Sequence, residues 1–220
     1  MMLYDSSNMM RMNYFLKKYD VSRETLEKLD YFYFLFIKWS KVVNLVSSST
    51  IDDFWRRHVE DSLRLFQLHP YPSVWIDFGS GGGFPGIITS IQLTEINDGW
   101  VNLIESNNKK SSFLRVVIQK TRIRGEVFPC RVQEAHKIID KCDVISARAL
   151  AKLDLLLEYS FPWFSKNCNS KAFFYKGCNY KSEISEARSR WNFSLVKHRS
   201  NIKNNSVILE ISNLSRISIS

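Results

Sequence analysis

The stretch WIDFGSGGGFPG, residues 75–86, decides the fold of this chain. Five of its twelve residues are glycines, with Asp77 before them and Pro85 near the end. Glycine adopts positive φ angles and lets a ligand approach the main chain without meeting a Cβ. Proline suits the first turn of a helix, where its missing N–H would have no partner. The stretch therefore predicts a strand, a tight turn and a helix, with a ligand held against the turn.

The segments after residue 73 alternate between short apolar runs and helical patterns. This alternation favours parallel strands joined by right-handed crossovers, as in a doubly wound sheet. Two later runs flank a polar turn and predict an antiparallel hairpin at one sheet edge. The predicted fold class is α/β, with a mostly parallel sheet of seven strands. The strands are expected at 74–78, 101–105, 126–130, 143–147, 171–175, 191–199 and 206–212, and the intervening helices at 85–93, 109–120 and 152–164.

The N-terminal part of the chain is predicted to be helical. One helix is expected over 22–46, with Ser22 as its N-cap, and a second over 52–67. The aromatic residues at 31–36 follow helical spacing, so we expect them to pack in a core rather than to stack on bases.

The composition indicates the kind of partner. Thirty-one Lys and Arg against 22 Asp and Glu give a net charge of +9, which favours a polyanion such as nucleic acid. The longest apolar run, 31–37, is about a third of the ~20 residues that span a bilayer. The four cysteines show no C-x-x-C pair and no histidine at zinc-ligand spacing. We expect a monomeric cytoplasmic protein without metal or membrane, divided into an N-terminal helical cap, 1–72, and a core, 73–220.

The spacing of the glycines indicates which ligand the turn holds. A dinucleotide-binding turn has the pattern G-x-G-x-x-G, and its third glycine position is Phe84 here. Asp77 would repel a diphosphate but suits a cationic cofactor. Together with Gly79, Gly81 and Gly83 it forms D-x-G-x-G-x-G, which resembles the first motif of class I methyltransferases. The sequence therefore predicts S-adenosylmethionine, a sulfonium with an ammonium group and no phosphate.

A second carboxylate supports this cofactor. Glu105 ends the second predicted strand. In doubly wound folds an acid at that position lies beside the ribose hydroxyls of the bound cofactor. We therefore expect Glu105 to bind the ribose.

The group that accepts the methyl is indicated mainly by motifs of other methyltransferases that the sequence lacks. Residues 146–149, SARA, differ from the Asp/Asn-Pro-Pro-aromatic tetrad that holds an exocyclic adenine nitrogen. Pro129 and Cys130 follow the third strand instead of the fourth, so Cys130 is interpreted as a core thiol and not a nucleophile for pyrimidine C5. A methyl acceptor with a free lone pair, such as guanine N7, needs no general base. Its transfer step requires only correct positioning and an electrostatic field that tolerates the shifting charge.

Seven motifs carry a resemblance to a known family. The chain resembles the small-subunit ribosomal RNA guanine-N7 methyltransferase family (RsmG, also called glucose-inhibited division protein B). The combination of Phe-Pro-Gly after the glycines with R-H-x-x-D-S before them is specific. The motifs are KWSKVVNLVS (38–47), RRHVEDSL (56–63), IDFGSGGGFPGI (76–87), LIESNNKKSSFL (103–114), CRVQEA (130–135), DVISARALA (143–151) and FYKG (174–177).

The resemblance implies a class I, Rossmann-like methyltransferase fold and roles for particular residues. It implies that Gly79 and Phe84 line the cofactor loop and that Val132 and Gln133 flank the adenine. It also implies that Arg148 lies at the cofactor and guanine pocket, where it is the candidate catalytic residue through positioning. Position 133 is often Glu in the family, and an amide can still bond the adenine amino group. The implied partner is 16S ribosomal RNA or the small ribosomal subunit.

Basic residues before the glycine turn are candidate RNA contacts. We hypothesise that Arg56, Arg57 and His58 form a lip over the pocket that contacts RNA phosphate. Alternatively, His58 is a structural histidine of an amphipathic helix. Arg57 and Asp61, spaced i,i+4, alternatively only brace that helix.

Three lysines are further candidate RNA contacts. Lys109 and Lys110 open the helix after Glu105, and Lys176 ends the fifth strand. Lys109 and Lys110 either face phosphate or are solvated. Lys176 resembles the lysine of the family's Lys-Gly pair, and it either approaches the substrate or is a plain strand-end lysine.

Three other functions remain open at this point. A small-molecule methyltransferase would share the cofactor site, although the net charge of +9 argues against it. A non-catalytic RNA-binding protein with a retained cofactor fold would not need the intact Asp77, glycines and Glu105. A dehydrogenase is disfavoured by Asp77 and Phe84.

Overall fold

The structure is a computed structural model that describes residues 14–15, 17–46, 53–199 and 206–217. Seven strands form one sheet, and helices cover both of its faces. The strands are β1 (Val74–Phe78), β2 (Trp100–Ile104), β3 (Gly125–Phe128), β4 (Val144–Arg148), β5 (Lys171–Lys176), β6 (Trp191–Arg199) and β7 (Val207–Arg216). The α-helices are α1 (Arg23–Ser40), α2 (Asp61–Leu68), α3 (Gly86–Glu95), α4 (Asn108–Thr121), α5 (Val132–Ala135), α6 (Leu153–Phe164) and α7 (Tyr180–Ala187).

The strand order confirms the predicted doubly wound sheet with a hairpin at its edge. The order is β3-β2-β1-β4-β5-β7-β6. The five strands from β1 to β5 pair in parallel, whereas β7 is antiparallel to both β5 and β6. The order reverses between β1 and β4, which is where doubly wound sheets form a crevice for ligands.

Two apolar clusters lie on opposite faces of this sheet, because successive strand residues point to opposite faces. On β1, Trp75 packs in the cluster that includes α1, α3 and α4. Its neighbours Ile76 and Phe78 pack in the other cluster, with residues of α5, α6 and α7. The N-terminal helices therefore share one continuous core with a face of the sheet.

Helix α1 begins as the sequence predicts but ends earlier. The Ser22 side chain accepts a hydrogen bond from the Thr25 N–H, which confirms Ser22 as the N-cap. The prediction of a helix to residue 46 is wrong, because α1 ends at Ser40. Beyond it the chain turns toward the glycine stretch, so that a Cβ added at Gly82 would lie 3.1 Å from the Leu45 carbonyl oxygen. This close approach to another segment is a tertiary effect that helical periodicity does not report.

The second N-terminal helix also differs from the prediction of one helix over 52–67. Residues Phe54–Glu60 form a π-helix that leads directly into α2, and position 52 lies outside the described residues. Long π-helical segments are rare and occur often at functional sites. The sequence also failed to predict α5 and α7, because α5 has only four residues and α7 buries only Ala187.

Candidate active site

The glycine stretch forms the predicted turn between β1 and α3. Gly79, Gly81 and Gly83 have φ angles of +65°, +55° and +94°. A Cβ at Gly79 would lie 2.7 Å from Leu150 Cδ1, and one at Gly83 would lie 2.7 Å from Ile87 Cγ1. Both backbone conformation and packing therefore require glycine, and the turn presents bare main chain.

Glu105 fixes the shape of this turn. Its carboxylate accepts hydrogen bonds from the Gly81 N–H at 2.9 Å and from the Asn107 N–H at 2.7 Å. Asn107 is the N-cap of α4. A carboxylate has about four acceptor sites, so two such bonds leave capacity for hydroxyl donors. Glu105 thus links the turn to α4 at the place expected for a ribose.

Asp77 lies beneath the turn. Its Oδ1 accepts a hydrogen bond from the Ser146 hydroxyl at 2.7 Å, and its side chain is buried. Burial raises the pKa of Asp77 from 3.8 to about 6, and the hydrogen bond from Ser146 opposes this rise. A Cβ at Gly86 would lie 2.6 Å from Asp77 Oδ2, so the start of α3 packs directly on this carboxyl. The Asp77 carboxyl group therefore contributes its charge directly beneath the glycine turn.

A cavity of about 500 Å³ opens beside the turn, at the carboxyl ends of β1, β4 and β5. Its volume lies in the range of small-molecule and cofactor sites. One wall is the glycine turn and the other is formed by side chains. The lining residues are Leu45, Val46, Arg57, His58, Asp61, Gly79, Ser80, Gly81, Gly82, Phe84, Lys110, Arg148, Ala149, Tyr175, Lys176, Gly177 and Ser206.

Arg148, at the end of β4, faces this cavity. Its guanidinium lies near two aromatic rings, with Cζ 5.3 Å from the Phe84 centroid and 5.9 Å from the Tyr175 centroid. One Nη donates to the Arg57 carbonyl oxygen at 3.3 Å, and the other contacts His58 Nδ1 at 2.5 Å. Burial lowers the pKa of Arg148 below its ordinary value, but an arginine keeps its charge in proteins. The side chain is therefore held by rings and by hydrogen bonds together.

Phe84 connects the two walls. It is buried within an aromatic cluster, with ring centroids 5.3 Å from Phe32 and 5.4 Å from Phe54. The His58 ring stacks on it at 4.8 Å. Phe84 therefore packs into the core and forms part of the cavity surface, and it does not cross the opening. The expectation that the aromatic residues of α1 pack in a core is confirmed for Phe32 and Phe36, both fully buried, and is wrong for Phe34, which is 47% exposed.

The predicted RNA contacts separate into two groups. Arg57, Lys110 and Lys176 line the cavity, whereas Arg56 and Lys109 are exposed outside it.

Two of the cavity residues are held firmly in place. The Lys176 Nζ donates to the Ala151 carbonyl oxygen at 2.7 Å and pairs with Glu183 at 2.5 Å. His58 is 5% exposed and contacts Arg148 and Phe84.

The residues expected to flank the adenine lie on α5. Val132 is buried, and Gln133 is exposed. The Gln133 Nε2 donates to the Tyr159 hydroxyl at 2.7 Å. Neither residue lines the cavity beside the glycine turn, although α5 follows β3, which places it on the carboxyl side of the sheet near Glu105.

The cavity residues that the sequence does not predict include Asp61, Tyr175 and Ala149. Asp61 was interpreted only as a helix brace, but it is buried and lines the cavity. Tyr175 donates from its hydroxyl to the Asp61 carbonyl oxygen at 3.0 Å. Ala149 has a φ angle of +56° directly after Arg148. The one local signal was the position of Tyr175 and Ala149 at strand ends, where doubly wound folds collect functional residues.

Two further properties bear on the class of site. Within the part of the chain that the structure describes, no three His, Cys, Asp or Glu side chains are grouped so as to hold a metal ion. Over the same residues, no helix is both long and apolar enough to cross a bilayer.

Comparison with solved structures identifies the fold. The chain superimposes on a MtNAS mutant in complex with S-adenosylmethionine with a TM-score of 0.57 and 13% identity, over 84% of this chain and 74% of that one. It superimposes on the ribosomal protein L11 methylase of Lactobacillus delbrueckii subsp. bulgaricus with a TM-score of 0.51 and 18% identity, over 69% of this chain and 75% of that one. The architecture is that of the Rossmann-like class I methyltransferases.

Comparison of sequences identifies the family. The family model for rRNA small subunit methyltransferase G (GidB) matches residues 25–209. The ribosomal RNA small subunit methyltransferase G of Allorhizobium ampelinum is 58% identical over 89% of this chain and 93% of its own length. That of Sinorhizobium fredii is 55% identical over 91% of this chain and 94% of its own length. The chain therefore belongs to the rRNA small subunit methyltransferase G family, as the resemblance of its motifs predicted.

Proposed function

We propose that this protein transfers the methyl group of S-adenosylmethionine to N7 of a guanine in 16S ribosomal RNA. The observation that carries the proposal is the cavity with two unlike walls. One wall is bare main chain held by Glu105, and the other presents the guanidinium of Arg148 beside two aromatic rings. Membership of the rRNA small subunit methyltransferase G family supports the same reaction.

The residues present fit S-adenosylmethionine. Gly79 and Gly81 have positive φ angles and line the cavity, so an adenosyl group can lie against bare main chain there. Glu105 keeps acceptor capacity for the ribose hydroxyls, and Val132 and Gln133 would flank the adenine. When bound, the cofactor supplies an electrophilic methyl group on a positively charged sulfur. The buried Asp77 carboxylate beneath the turn would favour that charge.

The opposite wall would hold the acceptor guanine. N7 carries a lone pair, so the protein needs no general base and contributes mainly by positioning. Arg148 has a planar guanidinium with five N–H donors, two of which bond to Arg57 and His58. The remaining donors can bond the guanine while N7 faces the methyl group. Arg148 would thus act by orienting the base.

The RNA around the target would be held by positive charge. Arg57 and Lys110 line the cavity, and Arg56 and Lys109 are exposed near it. Lys176 also lines the cavity, but it is buried and its charge is already paired with Glu183. Each phosphate neutralised by one of the other basic residues releases counterions and strengthens binding. We propose that residues 1–72 act as a cap over the core, 73–220, and that the monomeric protein acts in the cytoplasm on 16S RNA, free or in the small subunit.

The reaction is tested by mapping methylation on ribosomal RNA from cells with and without this protein. We expect one guanine of 16S RNA to lose N7 methylation when the protein is absent, detected by mass spectrometry of RNA fragments. Purified protein with tritiated S-adenosylmethionine should restore the label on that fragment. An unchanged map, or label that appears only in a metabolite extract, would instead favour a small-molecule methyltransferase.

A non-catalytic role would give a different result. In that case the protein would bind 16S RNA and S-adenosylmethionine without transferring label to either RNA or metabolites. Calorimetry with S-adenosylmethionine separates this case from loss of the cofactor site.

A further inference from the structure

The imidazole of His58 contacts the guanidinium of Arg148 directly. The Arg148 Nη2 atom is 2.5 Å from His58 Nδ1, although the two residues are 90 positions apart in the chain. An arginine guanidinium carries donors and no acceptor. His58 Nδ1 must therefore present its lone pair, and the neutral ring carries its proton on Nε2.

The His58 ring is itself fixed in orientation. It stacks on Phe84 with centroids 4.8 Å apart and an interplanar angle of 23°. It is also 5% exposed, so rotation about its side-chain bonds would displace packed neighbours. The same Phe84 ring contacts the Arg148 guanidinium at 5.3 Å. His58 and Arg148 thus share one aromatic support.

These contacts restrict the Arg148 side chain in three ways. Phe84 and Tyr175 confine it in the direction of their ring faces, the Arg57 carbonyl oxygen binds one Nη, and His58 binds the other. A long side chain loses substantial rotamer entropy when it is ordered. Because these contacts order Arg148 before the substrate binds, the entropy loss of ordering its side chain does not add to the activation free energy of methyl transfer.

We propose that His58 is a positioning residue, which holds the Arg148 guanidinium in the orientation that orients the acceptor guanine. The inference rests on the proposed function of Arg148 and gives His58 a role different from phosphate contact. A buried ring that stacks on Phe84 has little surface to offer a phosphate, whereas its Nδ1 already bonds to a cavity residue. His58 acts through Arg148 and does not touch the reacting atoms.

Two substitutions at position 58 separate the hydrogen-bond acceptor, Nδ1, from the aromatic ring that carries it. In His58→Asn the amide oxygen occupies nearly the position of Nδ1 and can accept the same bond. In His58→Phe the ring can still stack on Phe84 but has no acceptor. The matched control is His69→Phe, since His69 bonds Ser73 through Nε2 at 2.9 Å near the start of β1, at the opposite end of that strand from the glycine turn.

Single-turnover methylation of small ribosomal subunits that lack the modification measures the effect. We expect His58→Phe to lower the rate roughly 10–100-fold, as expected for a misplaced orienting group. His58→Asn should keep most of the rate, and His69→Phe should leave it unchanged. S-adenosylmethionine affinity should be equal in all four proteins. Equal rates for His58→Phe and His69→Phe would overturn the proposal.

A double substitution distinguishes positioning from general support of the fold. In an Arg148→Met background, His58→Phe should cause no further reduction of the residual rate, because methionine has no N–H to donate to His58 and the bond is already absent. A structural role would instead give the full reduction again, which would also overturn the proposal. Should His58→Phe not fold, His58→Gln replaces it, since a glutamine amide reaches the position of Nε2 and not that of Nδ1.

Arginine side-chain NMR tests the positioning without any methylation. The Nη signals of Arg148 should be resolved in the wild type and in His58→Asn, and averaged by rotation in His58→Phe. Equally ordered Nη signals in His58→Phe would refute the proposal even if the enzyme is active. A wild-type protein that transfers no label to ribosomal RNA, yet shows this NMR pattern, would refute the proposed function and leave the positioning contact established.

Discussion

The two walls of the cavity are built in different ways. The glycine wall comes from adjacent residues, 79–83, whose backbone angles set its shape. Distant hydrogen bonds, from the Gly81 N–H to Glu105 and from the Ser80 N–H to the Ile104 carbonyl oxygen, hold it in place. The opposite wall is assembled from side chains on the π-helix, the turn, β4 and β5. The shape of the first wall follows mainly from the backbone angles of one short segment, whereas the second exists only when several segments meet. The two walls should therefore respond differently to substitution.

Their charges differ as well. Beneath and beside the glycine wall lie two buried carboxyl groups, Asp77 and Glu105. The other wall carries the guanidinium groups of Arg57 and Arg148, which outnumber the buried carboxyl group of Asp61. A sulfonium is favoured near carboxylates and a phosphate near cations. The cavity is thus polarised between a place suited to the cofactor and a place suited to RNA.

The largest effect is expected at Phe84, the residue that both walls share. Phe84→Ala removes a buried ring from the aromatic cluster and should lower the free energy of unfolding by about 3–5 kcal/mol. Urea denaturation measures the change. Phe34→Ala is the matched control, because Phe34 on α1 is 47% exposed and should cost much less. Equal destabilisation by Phe84→Ala and Phe34→Ala would contradict the packing of Phe84 in the aromatic cluster between the two walls.

The next effect concerns the charge beneath the glycine wall. The pKa of Asp77 is about 6 in the folded protein against 3.8 normally, because of burial. The folded state therefore binds the Asp77 proton more tightly than the unfolded state does. The stability that results is fully present below pH 3.8 and is lost as pH rises through about 6. The difference of 2.2, 6 minus 3.8, corresponds to about 3 kcal/mol.

Asp77→Asn isolates this contribution from that of other acids. Between pH 4 and pH 8 the wild type should lose about 2 kcal/mol of unfolding free energy relative to Asp77→Asn, because part of the contribution is already lost at pH 4. Denaturation of both proteins across this range gives the comparison. A constant difference between them would show that Asp77 is ionised normally. S-adenosylmethionine should also bind the wild type more tightly than Asp77→Asn at pH 8.

A smaller effect tests the backbone requirement of the glycine wall. Gly83→Ala forces a side chain into a φ angle of +94° and against Ile87, which should cost about 1–3 kcal/mol. Gly177→Ala is the control, since a Cβ there meets nothing within 4 Å. Thermal unfolding of the two variants measures the difference. If Gly83→Ala is as stable as Gly177→Ala, the wall does not depend on local backbone geometry.

The smallest effect on free energy is expected at the rim of the cationic wall. Neutralising Arg56 and Arg57 together to Gln should flatten the dependence of RNA affinity on salt, by about 0.7–0.9 in logarithmic slope for each phosphate that is no longer neutralised. Binding of 16S RNA at several salt concentrations gives the slope. Neutralising Lys120 and Arg122, at the end of α4, removes the same charge far from the cavity. Equal slopes in the two double variants would exclude Arg56 and Arg57 as specific phosphate ligands.

Much of the fold was predictable because its signals are local. Alternating apolar runs predicted the five parallel strands within one or two residues of their observed ends, and the terminal runs predicted the hairpin. The errors fall where local periodicity is weak or overruled. Helix α1 ends at Ser40, and the Leu45 carbonyl oxygen beyond it lies against Gly82. Helical spacing also does not distinguish the π-helix Phe54–Glu60 from an α-helix.

The sequence by itself determined the glycine wall and its acid, since positive φ angles restrict the residue type and a strand end fixes the place of Glu105. Only the tertiary structure decided that His58 bonds Arg148, that both rest on Phe84, and that Asp61 and Tyr175 complete the wall. The physical reason is that these interactions join side chains far apart in the chain, and their geometry is set by the packing of whole helices and strands. Local patterns carry no information about such distances.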